Sequence, residues 1–270
     1  MKFTFDHDYH IHSMLSACSG DPEQSADRIL QYAVENDLKK ICITDHFWDS
    51  DVEGASSWYA PQNFEHISKI KPLPTADGVE FLFGCEGEMD EKGLLGISKE
   101  CFDNFDFVVI PTTHMHMPFF EIFDDDEAQI RNRAKLWVER LDLLLDQDLP
   151  FHKIGIAHLA CTLFCSRALS LLSHESYARA LNAIDDADLN RLFARIAQKG
   201  CGVEINASDV NYNEITKQSV LRIFRSAKAQ GCKFYVGSDA HKGKEFDGVR
   251  AIIERAIDDI GLTEEDKFHF

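Results

Sequence analysis

No stretch of the 270-residue chain approaches the ~20 consecutive apolar residues that a membrane-spanning helix needs. The opening residues, MKFTFDHDYH, lack the apolar segment of a secretory leader. The expectation is a soluble, cytoplasmic protein with no membrane partner. No CxxC pair occurs among the 8 cysteines. A disulfide scaffold is not expected at this length. Cys42, Cys85, Cys201 and Cys232 fall in or beside apolar runs, where a free thiol packs as a small hydrophobe. Positive charge is scarce: the formal net charge is -18, and the one basic cluster is the pair Lys242 and Lys244. Long nucleic acid is therefore disfavoured as a partner. A small anion is not, because a metal ion reverses the local potential. No low-complexity tract, repeat or Pro/Gly/Ser-rich linker divides the chain, so residues 1–270 read as one domain. Hydrophobic residues make up 44%, enough for one sizeable core. The sequence carries no signal of oligomeric state.

What the chain does contain is an alternation of short apolar runs and amphipathic stretches. Strands are predicted at 8–12, 40–45, 80–86, 107–112, 153–158, 202–206 and 233–238. The first helix is expected to start at Asp21 as N-cap with Pro22 following, and to turn Ala26, Ile29, Leu30, Ala33 and Val34 to one face. Residues 136–145 read as part of a longer amphipathic helix. DADLNRLFARIAQKG starts acidic and stops at Gly200, 214–230 stops at Gly231, and 247–260 closes the chain. Strand–helix alternation predicts an α/β fold with a parallel sheet. Seven strands in this length suit a closed or nearly closed barrel, with a doubly wound open sheet as the alternative. Both architectures place function at the C-terminal ends of the strands.

Those ends share one chemistry. They carry His10 and His12, Asp45 and His46, Glu86 with Glu88 beyond it, His114 and His116, His158, Glu204 and Asn206, and Asp239 and His241. A single HxH or TDH stands as readily for a core or surface histidine. Seven strand ends repeating imidazoles and carboxylates do not, because buried unpaired histidines are costly. Residues i and i+2 of a strand share a face, so His10 and His12 can chelate one cation. Nitrogen and carboxylate donors together suit zinc, manganese or iron. The candidate donors exceed the four that one tetrahedral ion needs, so more than one metal is expected. A bridging carboxylate is then required, and Glu86 on a central strand is the natural choice.

These residues resemble the PHP (polymerase and histidinol phosphatase) family of metal-dependent phosphoesterases. HIHSMLSACS is similar to its first motif, ITDH to its second, EGEMD to its carboxylate strand and GSDAH to its last, with VEINAS resembling the strand before it. The likeness runs over about residues 8 to 247. It implies a distorted (β/α)7 TIM-like barrel with two to three divalent transition metal ions. Position by position, His10, His12, Glu86 and Asp239 would hold the first ion. Glu86 would bridge to a second, completed by His114 and His158. His46 and His241 would hold the third. Where the family usually supplies Asp or His to that third ion, this chain has Cys18. A thiolate is a good zinc ligand, and Asp21 is the alternative.

The implied activity is hydrolysis of a small phosphorylated substrate. A hydroxide bridging two metals would attack phosphorus in line with the leaving oxygen. Glu86 and Asp239 would organise that centre. Arg167, nine residues past His158, is the leading cation for the phosphoryl oxygens, with Lys242 behind it. Asp45 and Asn206 are expected to orient ligands. His116 is either a loop histidine or a substrate contact. Segments 48–70, with Trp58 and Tyr59, and 115–126 read as loops over the rim. Length and layout resemble the histidinol phosphatase branch, which makes histidinol phosphate one named candidate. The alternatives are a phosphodiesterase or nuclease acting on short nucleotides, and a non-catalytic metal-binding module.

Overall fold

A computed structural model describes residues 1–115, 127–162 and 173–270. Among these residues the strands run in chain order as β1 (His7–Ile11), β2 (Lys40–Ile43), β3 (His46–Phe47), β4 (Glu80–Phe83), β5 (Cys85–Gly87), β6 (Val108–Pro111), β7 (Ile154–Ala157), β8 (Gly202–Asn206) and β9 (Lys233–Gly237). The helices are α1 (Ala26–Glu35), α2 (Phe64–Ile67), α3 (Glu127–Leu145), α4 (His174–Asn182), α5 (Asp186–Lys199), α6 (Lys217–Ala229) and α7 (Val249–Ile260). All ladder pairings between strands are parallel, in two sheets ordered β1-β2-β4 and β3-β5-β6-β7-β8-β9.

The expected second and third strands are each interrupted. The second splits at Thr44 and Asp45, the third at Gly84. The ladder does not close into a ring among the described residues. At the seam between β1 and β9, side chains replace much of it. Ser238 N donates to Asp8 Oδ1 at 3.0 Å and Val236 N to His7 Nε2 at 3.1 Å. Backbone bonds take over only at the end that carries function: Asp239 N donates to His10 O at 2.7 Å and His12 N to Ala240 O at 3.0 Å.

Pairing of β1 with β2 slips between Asp8 and Ile11. Such a bulge re-aims side chains. Tyr9 joins an inner aromatic cluster with Phe107, Tyr235 and Phe268, while His10 and His12 face the neighbouring carboxylates. Gly155 makes room for that cluster, since a Cβ there would lie 2.5 Å from both Phe107 and Tyr235. The larger core packs helices against the outer strand faces, with Trp137, Phe193 and Phe224 fully buried. These aliphatic and aromatic side chains supply most of the folding drive.

Two helix starts correct the sequence reading. α1 begins at Ala26, capped by Ser25 Oγ accepting from Arg28 N at 3.3 Å. Asp21 instead closes a turn, its Oδ1 accepting from Glu23 N at 3.0 Å. Val34 is exposed, because Ala26, Ile29, Leu30 and Ala33 already fill the buried stripe. α6 starts at Lys217 rather than at 214, because Asn213 Oδ1 first accepts from Ile215 N and Thr216 N.

Candidate metal centre

Glu86 stands on β5 at the middle of the site and is buried. Its Oε1 lies 3.1 Å from His158 Nε2, 3.7 Å from His10 Nε2 and 3.9 Å from His114 Nε2. Its Oε2 lies 2.8 Å from His46 Nδ1 and 3.4 Å from His12 Nε2. Asp239 Oδ1 is 3.2 Å from His12 Nε2 and 3.5 Å from His10 Nε2. Three overlapping groups result, each with donor atoms within 4.8 Å of one another: His10, His12 and Glu86; Glu86, His114 and His158; and His12, Cys18, His46 and His241.

Acceptors outside the cluster decide which nitrogen of each ring faces in. His10 Nδ1 donates to Glu204 Oε1 at 2.8 Å. His114 Nδ1 donates to Glu88 Oε2 at 2.7 Å. His12 Nδ1 meets Ser16 Oγ at 2.8 Å, and Ser16 gives its only proton to Asp45 Oδ1. His12 must therefore be the donor. The same logic holds for His158, whose Nδ1 lies 2.8 Å from Thr113 Oγ1, a hydroxyl that donates to His158 O. His241 Nδ1 donates to Asp239 O at 2.8 Å. In each of these five rings Nδ1 holds the proton against its acceptor, and for His10, His12, His114 and His158 Nε2 is turned toward Glu86. Partners of this kind fix ligand orientation and raise ligand basicity.

The backbone is held to suit. His158 and Asp239 have positive φ, 29° and 56°, which costs free energy for any residue but glycine. Gly237 is needed because a Cβ there would overlap Glu204 Oε1 and lie 2.7 Å from His10 Cβ.

Burial opposes charge at every one of these groups, and pairing mostly overrides it. Burial would lower His158, but the Glu86 carboxylate lifts it to about 9. Burial also opposes His241, which Cys18 and Asp239 carry to about 9. Against burial, His46 and His10 hold Glu86 well below the carboxylate range. Asp239 is held well below it by His10 and His12. Burial together with the charges of His241 and His46 keeps His12 well below its ordinary value. Hydrogen bonds to His241 and His46 bring the Cys18 thiol down despite burial. The negative charge gathered here is thus balanced either by protons on imidazoles or by cations.

The residues fit cations. Glu86 Oε2 and His46 Nδ1 are both buried and lie 2.8 Å apart, and neither has a hydrogen-bond partner outside that pair. Two such atoms side by side are expensive unless something else binds them. Mixed imidazole, carboxylate and thiol donors in overlapping groups are the donor set of a multinuclear transition-metal centre.

The PHP domain family model matches residues 8–208. The chain belongs to the PHP domain family. The matched range stops before Asp239 and His241, which the fold returns to the centre through the β1–β9 seam. Two relatives, each named probable phosphatase, come from Thermoanaerobacter sp. (strain X514) and Thermoanaerobacter pseudethanolicus (strain ATCC 33223 / 39E). Each is 25% identical over 262 residues, covering 96% of this chain and 87% of the relative. In fold the chain is similar to the histidinol phosphate phosphatase of Lactococcus lactis subsp. lactis, solved with zinc, L-histidinol and phosphate. The TM-score is 0.58 at 19% identity, with 93% of each chain covered.

Of the site residues read from this PHP sequence, His10, His12, Cys18, His46, Glu86, His114, His158, Asp239 and His241 come together. Cys18, not Asp21, enters the group with His46 and His241. Lys242 lines a separate surface groove with Asp21, Glu23, Arg28, Lys244 and Asp247. Asn206 does contact Asp239, its Nδ2 donating to Oδ2 at 3.4 Å. Asp45 acts through Ser13 and Ser16. Arg167 and His116, with all but the first residue of 115–126, lie outside the described residues. Sequence reading left the roles of Glu204 and Glu88 open and missed Ser16 and Thr113. It saw Tyr59 only as a loop aromatic, whereas its hydroxyl donates to Glu88 Oε2. Trp58 sets its edge against His46 at 5.1 Å between ring centroids.

Proposed function

We propose that this PHP-family protein is a metal-dependent phosphatase that hydrolyses a small-molecule phosphomonoester, with histidinol phosphate as the first substrate to test. Family membership and the relatives named as phosphatases support the reaction class. The observation that carries the reading is the convergence of imidazole donor atoms on Glu86 in three overlapping groups.

Two to three zinc, manganese or iron ions fit these groups. When bound, they supply an activated water at neutral pH and neutralise phosphoryl charge. The chain's own residues do the rest. Glu86 joins the groups containing His10 and His12 to that containing His114 and His158. Asp239 closes the first group. Glu204, Ser16, Glu88 and Thr113 hold the rings in the tautomer that turns the Nε2 lone pair toward Glu86. Arg167 binds the phosphoryl oxygens, since an acidic chain needs a cation for a dianionic substrate. Trp58 and Tyr59 pack against the His46 ring at one side of the centre.

The interrupted strands count as one each in this reading. That gives a distorted seven-stranded barrel in a single domain, 1–270, sealed by the β1–β9 seam. Seven free cysteines among the described residues support a reducing, cytoplasmic setting.

The test is a screen of purified, metal-loaded protein against phosphomonoesters, histidinol phosphate included, and bis-p-nitrophenyl phosphate. Turnover of monoesters well above the diester is expected. Preference for the diester would point to a phosphodiesterase, and turnover of neither would leave a metal-binding module.

A further inference from the structure

We propose that Cys18 gives one of the three ion positions a chemistry of its own: it takes a thiophilic ion, and thiol reagents open it selectively. This rests on the metal reading above. His12, Cys18, His46 and His241 each offer a donor atom within 4.8 Å of the others. The other two groups contain Glu86, whereas this one contains no carboxylate and carries the only sulfur. His12 Nε2 serves the first group, which leaves the two imidazoles of His46 and His241 and one thiolate here, a set that favours zinc, cobalt or cadmium over manganese or magnesium.

The sulfur is placed rather than left to chance. Ala17 N donates to Gln62 Oε1 at 2.9 Å and Ser19 Oγ to His241 O at 2.6 Å, so both neighbours of Cys18 are tied to the site. Ser16 is tied to Asp45 and His12. His46 Nδ1, buried and 2.8 Å from Glu86 Oε2, marks the junction of this group with Glu86.

Cys18 is also exposed, whereas Cys42, Cys85, Cys101, Cys161, Cys201 and Cys232 are buried. A small reagent therefore meets Cys18 first among the described cysteines. With methyl methanethiosulfonate the Cys18 sulfur attacks the methylthio sulfur. A new S–S bond forms, the S–SO2 bond breaks, and methanesulfinate leaves with its electron pair. The sulfur then carries no charge for an ion, and that position loses its sole anionic ligand.

The experiment loads metal-free protein with cobalt(II) and records the near-ultraviolet thiolate-to-cobalt charge-transfer band beside bound cobalt. The band is expected in the parent protein and absent from Cys18→Ser and Cys18→Asp. Methyl methanethiosulfonate should abolish it and release about one ion per chain, and dithiothreitol with fresh cobalt should restore both. Two or more bound cobalt ions with no band, or a band that survives in Cys18→Ser, would overturn the proposal while leaving the metal reading intact. Should the parent protein bind no cobalt, both fall together. Because the parent protein alone gives band, release and recovery, a poorly folding variant does not remove the test.

Discussion

Glu204 stands behind His10 and His158 and belongs to none of the three donor groups, which makes Glu204→Gln a sharp test of how the centre is built. Its carboxylate is fully buried. Oε1 accepts from His10 Nδ1 at 2.8 Å, and Oε2 accepts from His158 N at 2.7 Å. Both contacts need an acceptor, and an amide has only one oxygen. If that oxygen turns to His158, the amide NH2 faces His10 Nδ1. The His10 proton must then sit on Nε2, the atom 3.7 Å from Glu86 and 3.5 Å from Asp239, and the ring stops being a ligand. If the oxygen turns to His10, the buried His158 N–H faces another donor. Either way a hydrogen bond to a charged group is lost, about 1.5–3 kcal/mol. At ~1.4 kcal/mol per decade, ion affinity falls by about 10- to 100-fold. This matches the usual effect of residues that orient metal ligands. Zinc competition against a chromogenic chelator measures it, with circular dichroism to confirm the fold. Excess zinc should largely recover kcat. A variant that binds zinc within twofold of the parent would refute the tautomer argument.

Glu86→Gln should lower metal content and turnover by orders of magnitude, because it weakens two groups at once; the same loss from Glu88→Gln with Glu86→Gln unaffected would reverse their roles. Tyr59→Phe removes one of the bonds that fix Glu88, so ion affinity should fall by about 3- to 10-fold, within the ~0.5–1.5 kcal/mol of a single hydrogen bond, as read by the same competition assay. Arg167→Ala should cut kcat/KM by about 10- to 100-fold without changing metal content, with Arg167→Lys rescuing only in part; kinetics within twofold of the parent would refute a phosphate-binding role for Arg167. His158 and His241 are raised to about 9, so in metal-free protein their pairing stabilises the fold fully below the ordinary histidine value and is lost as pH rises through about 9. Thermal melts of chelator-treated protein should therefore fall across that window, and melts of the metal-loaded protein should not; parallel curves would show that protons do not stand in for ions.

The α/β class with parallel strands and most of the clustered donor residues were legible because both are local signals. A parallel strand buried on two faces reads as an apolar run, and β6, β7 and β9 appear within a residue or so of where VVIP, IGIA and KFYVG place them. Ligand types stand at the strand ends, so DYHIHS, ITDH and GSDAH display them without any knowledge of distance. Gly200 and Gly231 stopped helices where left-handed backbone was needed. The failures were at starts, where Ser25 and Asn213 competed with Asp21 and Glu214 through hydrogen bonds that pattern alone does not rank.

Sequence by itself therefore determined the alternation of strand and helix, the donor chemistry and its arrival on one rim. Tertiary structure decided how those donors are used. Glu204 reaches His10 across 194 residues, Glu88 reaches His114 across 26, and Thr113 reaches His158 across 45. The fold packs Tyr9 among Phe107, Tyr235 and Phe268 while its strand neighbours His10 and His12 meet the carboxylates, and Cys18 rather than Asp21 enters the third group. The physical reason is that residue type sets which atoms can donate an electron pair, whereas the free nitrogen of each ring depends on a partner that only the closed fold brings within hydrogen-bonding distance.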